Sequence, residues 1–300
     1  MINGSVVFLI DSSNLVYRCF YAIKSLTTST GFPTNAIHGV LKTLRQWVRE
    51  YDPGHMAMVV DGETPAERLE LVPGYKASRP PMPEDLEKQL PVLEELVPLF
   101  GIAQIEDPKQ EADDLIASIA KRAAEDGQEV IIASNDKDFF QLLRPGVRIL
   151  RQTPGQSVMV DEKWLHSEWG LAPGQVVDYL SLTGDSVDEI KGIDGVGDKT
   201  ACKWLSEFGL LEGIYENLGR LSPRFQEKMA GQLDRLKINR KVITLRSDLM
   251  PELHHSDLKR RLPDYPRLCK RLRELEFKNL PAELEAEAAK LQPKEQGELF

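Results

Sequence analysis

The sequence predicts a three-layer α/β/α sheet followed by a helical C-terminal domain. Three short apolar runs, Val6–Ile10, Met56–Val60 and Val130–Ala133, have the length and composition of strands that are buried on both faces. Segments with helical spacing of apolar residues separate them, and this alternation is typical of a parallel sheet covered by helices. From Pro173 onward the apolar spacing is helical. The predicted ranges are 1–172 for the α/β domain with an insert at about 62–102, 173–290 for the helical domain and 291–300 for a flexible tail.

Each element of the α/β domain follows from its residues. One helix begins near Ser13 and a second near Asn35, a residue type that is favoured at helix N-caps. Glu111 precedes a third helix, and Gly127 marks its end because glycine readily follows the last helical turn. The last strands form a hairpin around Pro154–Gly155 at the edge of the sheet.

The insert between Gly62 and about Ile102 departs from this alternation. It is rich in proline and charge until helical spacing resumes at Leu86, where Pro91 must either kink the helix or begin it afresh. Its position directly after a strand favours a lid or clamp over the sheet edge, although an ordinary surface loop is the alternative. The residues that would act from this lid are Tyr75, Lys76 and Arg79.

Acidic residues recur where the predicted strands end. Asp11 ends the first strand, Asp61 follows the second, and Asp136 and Asp138 come just after the third. A preference of acids for helix N-termini would explain one or two members of a further group at the start of the third helix, Glu111, Asp113 and Asp114. That preference does not explain the recurrence. Ligands of open parallel sheets bind beyond the carboxyl ends of the strands, so we expect these acids to share a site.

A cluster of carboxylates requires either protons or cations. Two carboxylates about 4 Å apart repel by roughly 4 kcal/mol at an effective dielectric constant near 20. Ligands that are all oxygen favour hard ions, and we expect Mg²⁺ or Mn²⁺ rather than zinc. Cys19, Cys202 and Cys269 are scattered, so neither a disulfide framework nor a thiolate zinc site is indicated. Two more acids three residues apart, Asp185 and Asp188, can point at one place.

Composition and charge restrict the protein's partners. The chain has no apolar run of about eighteen residues and no apolar leader, so we expect a cytoplasmic protein with no membrane partner. A net charge of −9 argues against nucleic-acid binding, yet the basic residues are locally concentrated. This segregation fits a phosphate-binding surface near a metal-charged site. The basic segments are Lys76–Arg79, Lys191–Lys203, Arg235–Arg246 and Lys259–Lys278.

The glycine-rich segment from Gly192 to Lys203 predicts a hairpin between two helices. It is not a nucleotide-binding loop, since that motif requires lysine directly after the second glycine and Asp198 intervenes here. Backbone N–H groups of such a hairpin can hold a DNA phosphate without reading sequence. A simple helix-turn-helix corner is the alternative. The flanking lysines favour DNA contact.

Six motifs resemble the 5′ nuclease of bacterial DNA polymerase I and the related flap endonucleases. They are LIDSSNLVYRCFYA, the lone Asp61, GYKASRPPMP, EADDLIA, NDKDFFQLL and TGDSVDEIKGIDGVGDKTA. The resemblance implies a PIN-like 5′ nuclease core, a helical arch in the insert and a helix-three-turn-helix domain. It also implies a metal-dependent 5′→3′ exonuclease and flap endonuclease that acts on branched, nicked or gapped DNA in replication and repair. Since no polymerase segment follows, we expect a free-standing, monomeric nuclease at the nucleoid.

The resemblance assigns roles to individual residues. One cluster of metal ligands would comprise Asp11, Asp61, Glu111, Asp113 and Asp136, and the other Asp114, Asp138, Asp185 and Asp188. Asp11 and Asp136 would be catalytic, together with Lys76 and Arg79 of the arch. Potassium would bind at the hairpin beside a duplex phosphate. The residues expected to contact DNA are Arg18, Arg68, Tyr75, Lys76, Arg79, Lys191, Gly192, Gly195, Val196, Gly197, Lys199, Thr200 and Lys203.

Two alternatives remain open at the sequence level. Val187–Lys191 lacks the Asn and Pro that are usual in the family, which would fit a catalytically weak or inactive binder of branched DNA. A metal-dependent ribonuclease of the smaller fold found in toxins is a second alternative, which the insert and the helical domain disfavour.

The last five residues suggest a protein partner. Gln296, Leu299 and Phe300 fit the QxxLF peptide by which bacterial proteins dock in the hydrophobic groove of the sliding clamp. A chance match is the alternative.

Overall fold

The structure, a computed structural model, describes residues 3–153, 155–250 and 252–291. Within these residues six strands form one sheet and two short strands form a separate ribbon. In chain order they are β1 (Asn3–Asp11), β2 (Pro53–Val60), β3 (Ala103–Glu106), β4 (Glu129–Ala133), β5 (Val147–Thr153), β6 (Gln156–Val160), β7 (Gly184–Asp185) and β8 (Ile190–Lys191).

The large sheet has the order β3-β2-β1-β4-β5-β6. Its neighbouring strands are parallel except for the β5–β6 hairpin at the edge. The expected α/β sheet and its edge hairpin are therefore confirmed. The sequence reasoning missed β3, because this strand has only four residues and they are at most partly buried.

Helices cover both faces of the sheet, and no helix in the described ranges is long and apolar enough to cross a membrane. The α-helices of the first part are α1 (Ser12–Ala22), α2 (Asn35–Tyr51), α3 (Ala66–Leu71), α4 (Glu84–Glu87), α5 (Leu90–Leu99), α6 (Ala112–Glu125) and α7 (Glu162–Trp169). Those of the second part are α8 (Val176–Thr183), α9 (Asp198–Phe208), α10 (Leu211–Glu216), α11 (Pro223–Met229), α12 (Leu233–Ile243), α13 (Tyr265–Glu274) and α14 (Leu280–Leu291).

The alternation of side chains along β1 creates the three layers. Val7 and Leu9 pack into one core with α6 and the helices from α8 to α12, whereas Phe8 and Ile10 pack into the other with α1, α2 and α5. Successive side chains of a strand point to opposite faces, so a fully apolar strand feeds two cores. The last described helices, α13 and α14, join α2 and α5 on the second face, and Arg45 pairs with Glu287 at 2.7 Å.

The insert contains the short helices α3 and α4, with turns between them. Pro91 lies in the first turn of α5, so the helix begins afresh rather than kinking. Proline is tolerated there because the first helical N–H groups have no intrahelical partner.

The strand order reverses between β1 and β4. The chain moves from β1 through β2 to β3 on one side, then returns to place β4 on the other side of β1. In register, Asp11 lies beside Val59 and Ile10 beside Ala133, so the three strands end together. A crevice forms at such a reversal, beyond the carboxyl ends of the strands.

Candidate metal centre and DNA-binding hairpin

Asp11 lies at the floor of this crevice. It is the last residue of β1 and caps α1, where its carboxylate accepts the N–H of Asn14 at 3.0 Å. The same carboxylate accepts hydroxyl hydrogens from Ser134 at 2.7 Å and Ser13 at 3.1 Å. Its side chain is only 4% exposed. Burial raises the pKa of Asp11 to about 6, and neighbouring carboxylates add to the rise while these hydrogen bonds oppose it.

Asp61 and Asp113 face Asp11 from the β2 side. Asp61 accepts the N–H of Ala112 at 2.9 Å, which uses one of the unpaired donors at the start of α6. Asp113 lies one residue further along that helix. Burial raises the pKa of Asp113 well above its ordinary value, and the charges of Asp11, Asp136 and Asp61 raise it further.

Asp136 and Asp138 enter from the loop after β4. Asp136 accepts the N–H of Asp138 at 2.9 Å, and its own N–H donates to Ser134 Oγ at 3.1 Å. Desolvation in the cleft raises the pKa of both acids, and the charges of Asp185 and Asp188 raise them further. The helical domain thus contributes two carboxylates to a crevice of the α/β domain.

The turn between β7 and β8 holds these last two acids. Asp185 accepts the N–H of Val187 at 2.7 Å, and Asp188 accepts a hydrogen bond from Arg79 at 2.6 Å. Glu189 completes the turn with a left-handed φ of 58°, a conformation that Asn or Gly adopts more readily. Although the usual Asn and Pro are absent here, both acids still face Asp138.

Glu111 is already neutralised by side chains of the insert. It pairs with Lys76 at 2.6 Å and with Arg68, and it accepts the hydroxyl of Thr64 at 3.1 Å. Burial alone would raise the pKa of Glu111, but Lys76 and Arg68 hold it below its ordinary value. Sequence reasoning missed Thr64 and Ser134. The position of Ser134 directly after a strand, among the acids, was the available signal.

Two of the predicted site residues, Asp114 and Arg68, pair with each other in the structure. Asp114 is fully buried and forms two hydrogen bonds of 2.8 Å with the guanidinium of Arg68. It also accepts the N–H of Arg246 at 2.8 Å. Arg68 is 6% exposed and donates its remaining nitrogen to the carbonyl of Val242 at 3.1 Å. In the structure Asp114 and Arg68 therefore satisfy each other's buried charge, and both are buried away from solvent.

The rest of the insert covers the cleft. Tyr75 is buried, with its hydroxyl 3.4 Å from Asp188 and its ring 5.0 Å from Lys76 Nζ. Lys76 has a left-handed φ of 60°, and its N–H donates to the backbone carbonyl of Asp188. Arg18 lies half-buried on α1, within electrostatic reach of Asp11. The insert therefore places two cations and one phenol over the carboxylates.

The predicted hairpin follows β8 directly. A methyl group on Gly192 would come within 2.3 Å of Thr183, so only glycine permits this close approach of the ribbon to α8. Gly195 has a left-handed φ of 83°, and buried Val196 anchors the turn. Gly197 is the N-cap of α9. Asp198 is the first helical residue, and its carboxylate accepts the hydroxyl hydrogen of Tyr179 at 2.8 Å.

Exposed lysines surround the hairpin. Lys191, Lys199 and Lys203 all reach solvent, and Thr200 lies half-buried among them. The arrangement offers positive charge and the N-terminus of α9 on one face. The predicted clamp residues Gln296, Leu299 and Phe300 lie outside the described residues.

The donor set of the crevice fits hard divalent ions. Its eight carboxylates supply only oxygen. They are Asp11, Asp61, Glu111, Asp113, Asp136, Asp138, Asp185 and Asp188. The raised pKa values of Asp11, Asp113, Asp136 and Asp138 show that these four resist ionisation without a counter-charge. As they stand, no three His, Cys, Asp or Glu side chains of the described chain are placed to hold one ion together. Repulsion separates like charges, and a cation between them would draw them in.

Replacing Asp113 by asparagine should stabilise the metal-free protein near neutral pH. An acid with a raised folded-state pKa contributes stability at low pH, and this contribution is lost as the pH rises through that raised value. Ionised Asp113 therefore opposes folding. We expect Asp113→Asn to raise the free energy of unfolding by about 1 kcal/mol, which corresponds to a Tm in EDTA that is about 2–4 °C higher. Mg²⁺ should stabilise the variant less than the wild type. Glu125→Gln, at the exposed far end of α6, is the matched control, and an equal rise there would contradict the assignment.

Comparisons with known proteins agree with this architecture. Residues 6–170 match the model of the 5′–3′ exonuclease N-terminal resolvase-like domain, and residues 171–266 match that of the 5′–3′ exonuclease C-terminal SAM fold. A 5′–3′ exonuclease of Aquifex aeolicus is 36% identical over 93% of this chain and 95% of its own length. A thermostable DNA polymerase I of Thermus aquaticus is 42% identical over 91% of this chain. The chain spans only 32% of that polymerase.

Solved structures share the fold. The bacteriophage T5 flap endonuclease, in complex with DNA and metal ions, superposes with a TM-score of 0.64 at 19% identity, over 80% of this chain and 89% of its own. The catalytic core of Rad2 in complex with a DNA substrate has a TM-score of 0.64 at 17% identity, over 94% and 91%. With family models matching both halves of its length, the chain belongs to the 5′–3′ exonuclease family.

Proposed function

We propose that the chain is a structure-specific, metal-dependent 5′→3′ exonuclease and flap endonuclease. Its substrates would be branched, nicked or gapped DNA, from which it removes primers and flaps by hydrolysis of phosphodiester bonds. The observation that carries this proposal is the convergence of eight carboxylates, delivered by separated strands and turns, into the crevice at the end of β1 and β4. We also propose a division into two domains near residue 172, with catalysis in the first and duplex binding in the second.

The acids would hold two or more Mg²⁺ or Mn²⁺ ions. One cluster, nearer to β2, would comprise Asp11, Asp61, Glu111, Asp113 and Asp136. The other, nearer to the hairpin, would comprise Asp138, Asp185 and Asp188. When bound, such ions lower the pKa of an attacking water and stabilise charge on the leaving oxygen of an in-line displacement. Ser134 and Asn14 hold Asp11 in a fixed orientation, so one ligand is positioned in advance.

Lys76 and Arg79 would change partners when substrate binds. In this structure they neutralise Glu111 and Asp188, at 2.6 Å each. With these carboxylates holding divalent ions, Lys76 and Arg79 would be free to face the scissile phosphate. The insert would then supply positive charge from the side of the phosphate that is opposite the acids.

A potassium ion is not part of this proposal, because side-chain cations already contact the carbonyl oxygens of the hairpin. We also propose that the protein is a monomer. Its site of action would be the nucleoid in the cytoplasm, since flaps and nicks arise on chromosomal DNA.

The alternative is a catalytically weak binder of branched DNA. The non-glycine residue with a left-handed φ at Glu189, next to Asp188, is the observation that favours it. A Mg²⁺ assay on flap DNA, nicked duplex and single-stranded RNA in parallel separates these functions. Cleavage of both DNA substrates but not of RNA is the expected result, whereas binding without cleavage would support the alternative.

Asp136→Ala should abolish cleavage and leave flap binding nearly intact. Asp136 links the two groups of acids, but it makes no contact with the hairpin among the described residues. Cleavage in Mg²⁺ and flap affinity in EDTA, measured side by side, test the assignment. Glu162→Ala removes an exposed acid from α7 and should change neither quantity. Normal cleavage by Asp136→Ala would show that the site is misassigned.

Lys76→Met should reduce turnover by roughly 100-fold, since removal of one electrostatic stabiliser of a transition state costs on the order of 10²–10³. Duplex affinity should remain nearly unchanged, because Lys76 lies over the acids rather than at the hairpin. Lys88→Met, an exposed lysine that follows α4 in the same insert, is the control. A loss confined to affinity would contradict a role at the scissile phosphate.

We further propose that Gln296, Leu299 and Phe300 dock in the hydrophobic groove of a bacterial sliding clamp. Removal of Leu299 and Phe300 should abolish binding to the clamp without changing cleavage of free flap DNA. Surface plasmon resonance with immobilised clamp tests this prediction. An affinity of the truncated variant for the clamp equal to that of the wild type would contradict the proposed docking.

A further inference from the structure

Cationic side chains from two later helices lie against the hairpin at Lys191–Gly197. Arg235 of α12 donates to the carbonyl of Lys191 at 2.5 Å and to that of Gly192 at 3.1 Å from both terminal nitrogens. Lys228 of α11 donates to the carbonyl of Asp194 at 2.5 Å. Neither residue belongs to the predicted site.

The remaining carbonyl of this stretch is also occupied. The carbonyl of Ile193 accepts the N–H of Val196 at 2.9 Å within the turn. The side-chain amide of Asn239 adds a second hydrogen bond to the Lys191 carbonyl, at 3.0 Å. Four successive carbonyl oxygens are therefore engaged, three of them by side chains that carry a full positive charge.

This arrangement does not fit the potassium ion that the family resemblance implied. A monovalent cation at such a hairpin needs several backbone carbonyls turned toward it. Here an ammonium and a guanidinium hold the carbonyls of Lys191, Gly192 and Asp194, and the turn's own N–H occupies that of Ile193. Two positive charges within a few ångströms repel, so a bound ion and these side chains would compete for the same oxygens. Arg235 is well suited to the task, because its planar fork reaches two neighbouring carbonyls at once.

The turn lies close to both cations. Gly195 has a left-handed φ of 83°, and a methyl group built there would come within 3.2 Å of Lys228 Nζ. Arg235 is also hydrogen-bonded to Gln232 at 2.8 Å, which fixes its guanidinium from behind. Both cations are partly buried, so they lose less to solvent than surface lysines do.

We infer that Arg235 and Lys228 replace the monovalent cation of the hairpin and are positioning residues for its contact with DNA. They hold the carbonyls of Lys191, Gly192 and Asp194 in place, so the N–H groups on the opposite side of the turn face a duplex phosphate without potassium. Their charge also adds to the field that attracts this phosphate. The inference rests on the proposed function only where it concerns DNA.

The first experiment uses the wild-type chain in chloride salts of potassium, sodium and lithium at equal ionic strength. The Tm without DNA and the affinity for a nicked duplex in EDTA should be the same in all three salts. A Tm or an affinity that rises specifically in potassium would overturn the inference. The Tm comparison needs no DNA, and cleavage in Mg²⁺ is measured separately. If the protein proved not to be a nuclease, the Tm comparison would therefore still test this inference.

The second experiment removes the built-in cations. In lithium chloride, the double variant Arg235→Met/Lys228→Met should bind nicked duplex about tenfold more weakly than wild type, the size expected for lost charge-assisted hydrogen bonds. Potassium chloride should restore part of this affinity and raise the Tm, because the freed carbonyls can then take up the ion. Equal affinity and Tm in both salts would overturn the inference.

The matched control removes two charges from the same region without touching the hairpin. Lys237→Met/Lys241→Met alters two exposed lysines of α12 and should weaken DNA binding equally in every salt. Arg235→Lys keeps a charge within reach of the carbonyls and should retain the wild-type indifference to potassium. If the double variant fails to fold, the wild-type salt series and Arg235→Lys still decide between the two outcomes.

Discussion

Repulsion among carboxylates at one edge of the sheet is the constraint on which the rest of the structure depends. Burial and mutual charge raise the pKa of Asp11, Asp113, Asp136 and Asp138, so their ionised forms oppose folding near neutral pH. Two apolar cores, one on each face of β1, supply the stability that tolerates this strain. These four acids, whose charge no side-chain cation neutralises among the described residues, lie at the reversal of strand order, where a ligand is expected to bind.

Built-in cations neutralise the acids at the margin of the site. Arg68 holds Asp114 and Glu111, Lys76 holds Glu111, and Arg79 holds Asp188. All three cations come from the insert after β2, so this segment carries a charge complementary to the crevice. The same solution recurs at the hairpin, where Arg235 and Lys228 meet carbonyl dipoles instead of carboxylates.

Much of the fold and of the candidate site could be predicted from the sequence, and what could not be predicted has a physical reason. Apolar runs followed by Asp predicted the parallel strands and the edge on which the acids meet, because strand direction and burial are local properties. The glycine-dependent hairpin was likewise readable, whereas the sequence left open whether Pro91 kinks its helix or begins it afresh. The pairing of Asp114 with Arg68 was not readable from the sequence. Its neighbour Asp113 faces the crevice, and the helical rotation between them turns Asp114 toward Arg68. That partner lies 46 residues away.

Contacts between distant segments were beyond sequence reasoning. Gln89 is fully buried and accepts the N–H groups of Ala36 and Ile37 at the start of α2, a capping role that no local pattern reveals. Arg235 belonged to a segment noted only as basic. Nothing in its spacing showed that it would reach back to the carbonyls of Lys191 and Gly192.

The close approach of Gly192 to Thr183 has a consequence for where a strand is cut. No side chain fits between them, so the β7–β8 ribbon, with Asp185 and Asp188, packs directly against the end of α8 and leads without a spacer into the hairpin. If the hairpin grips the duplex, the backbone itself sets the interval between the gripped phosphate and the acids. The protein would then select the phosphodiester bond that it cleaves by its distance from the gripped phosphate and not by base identity.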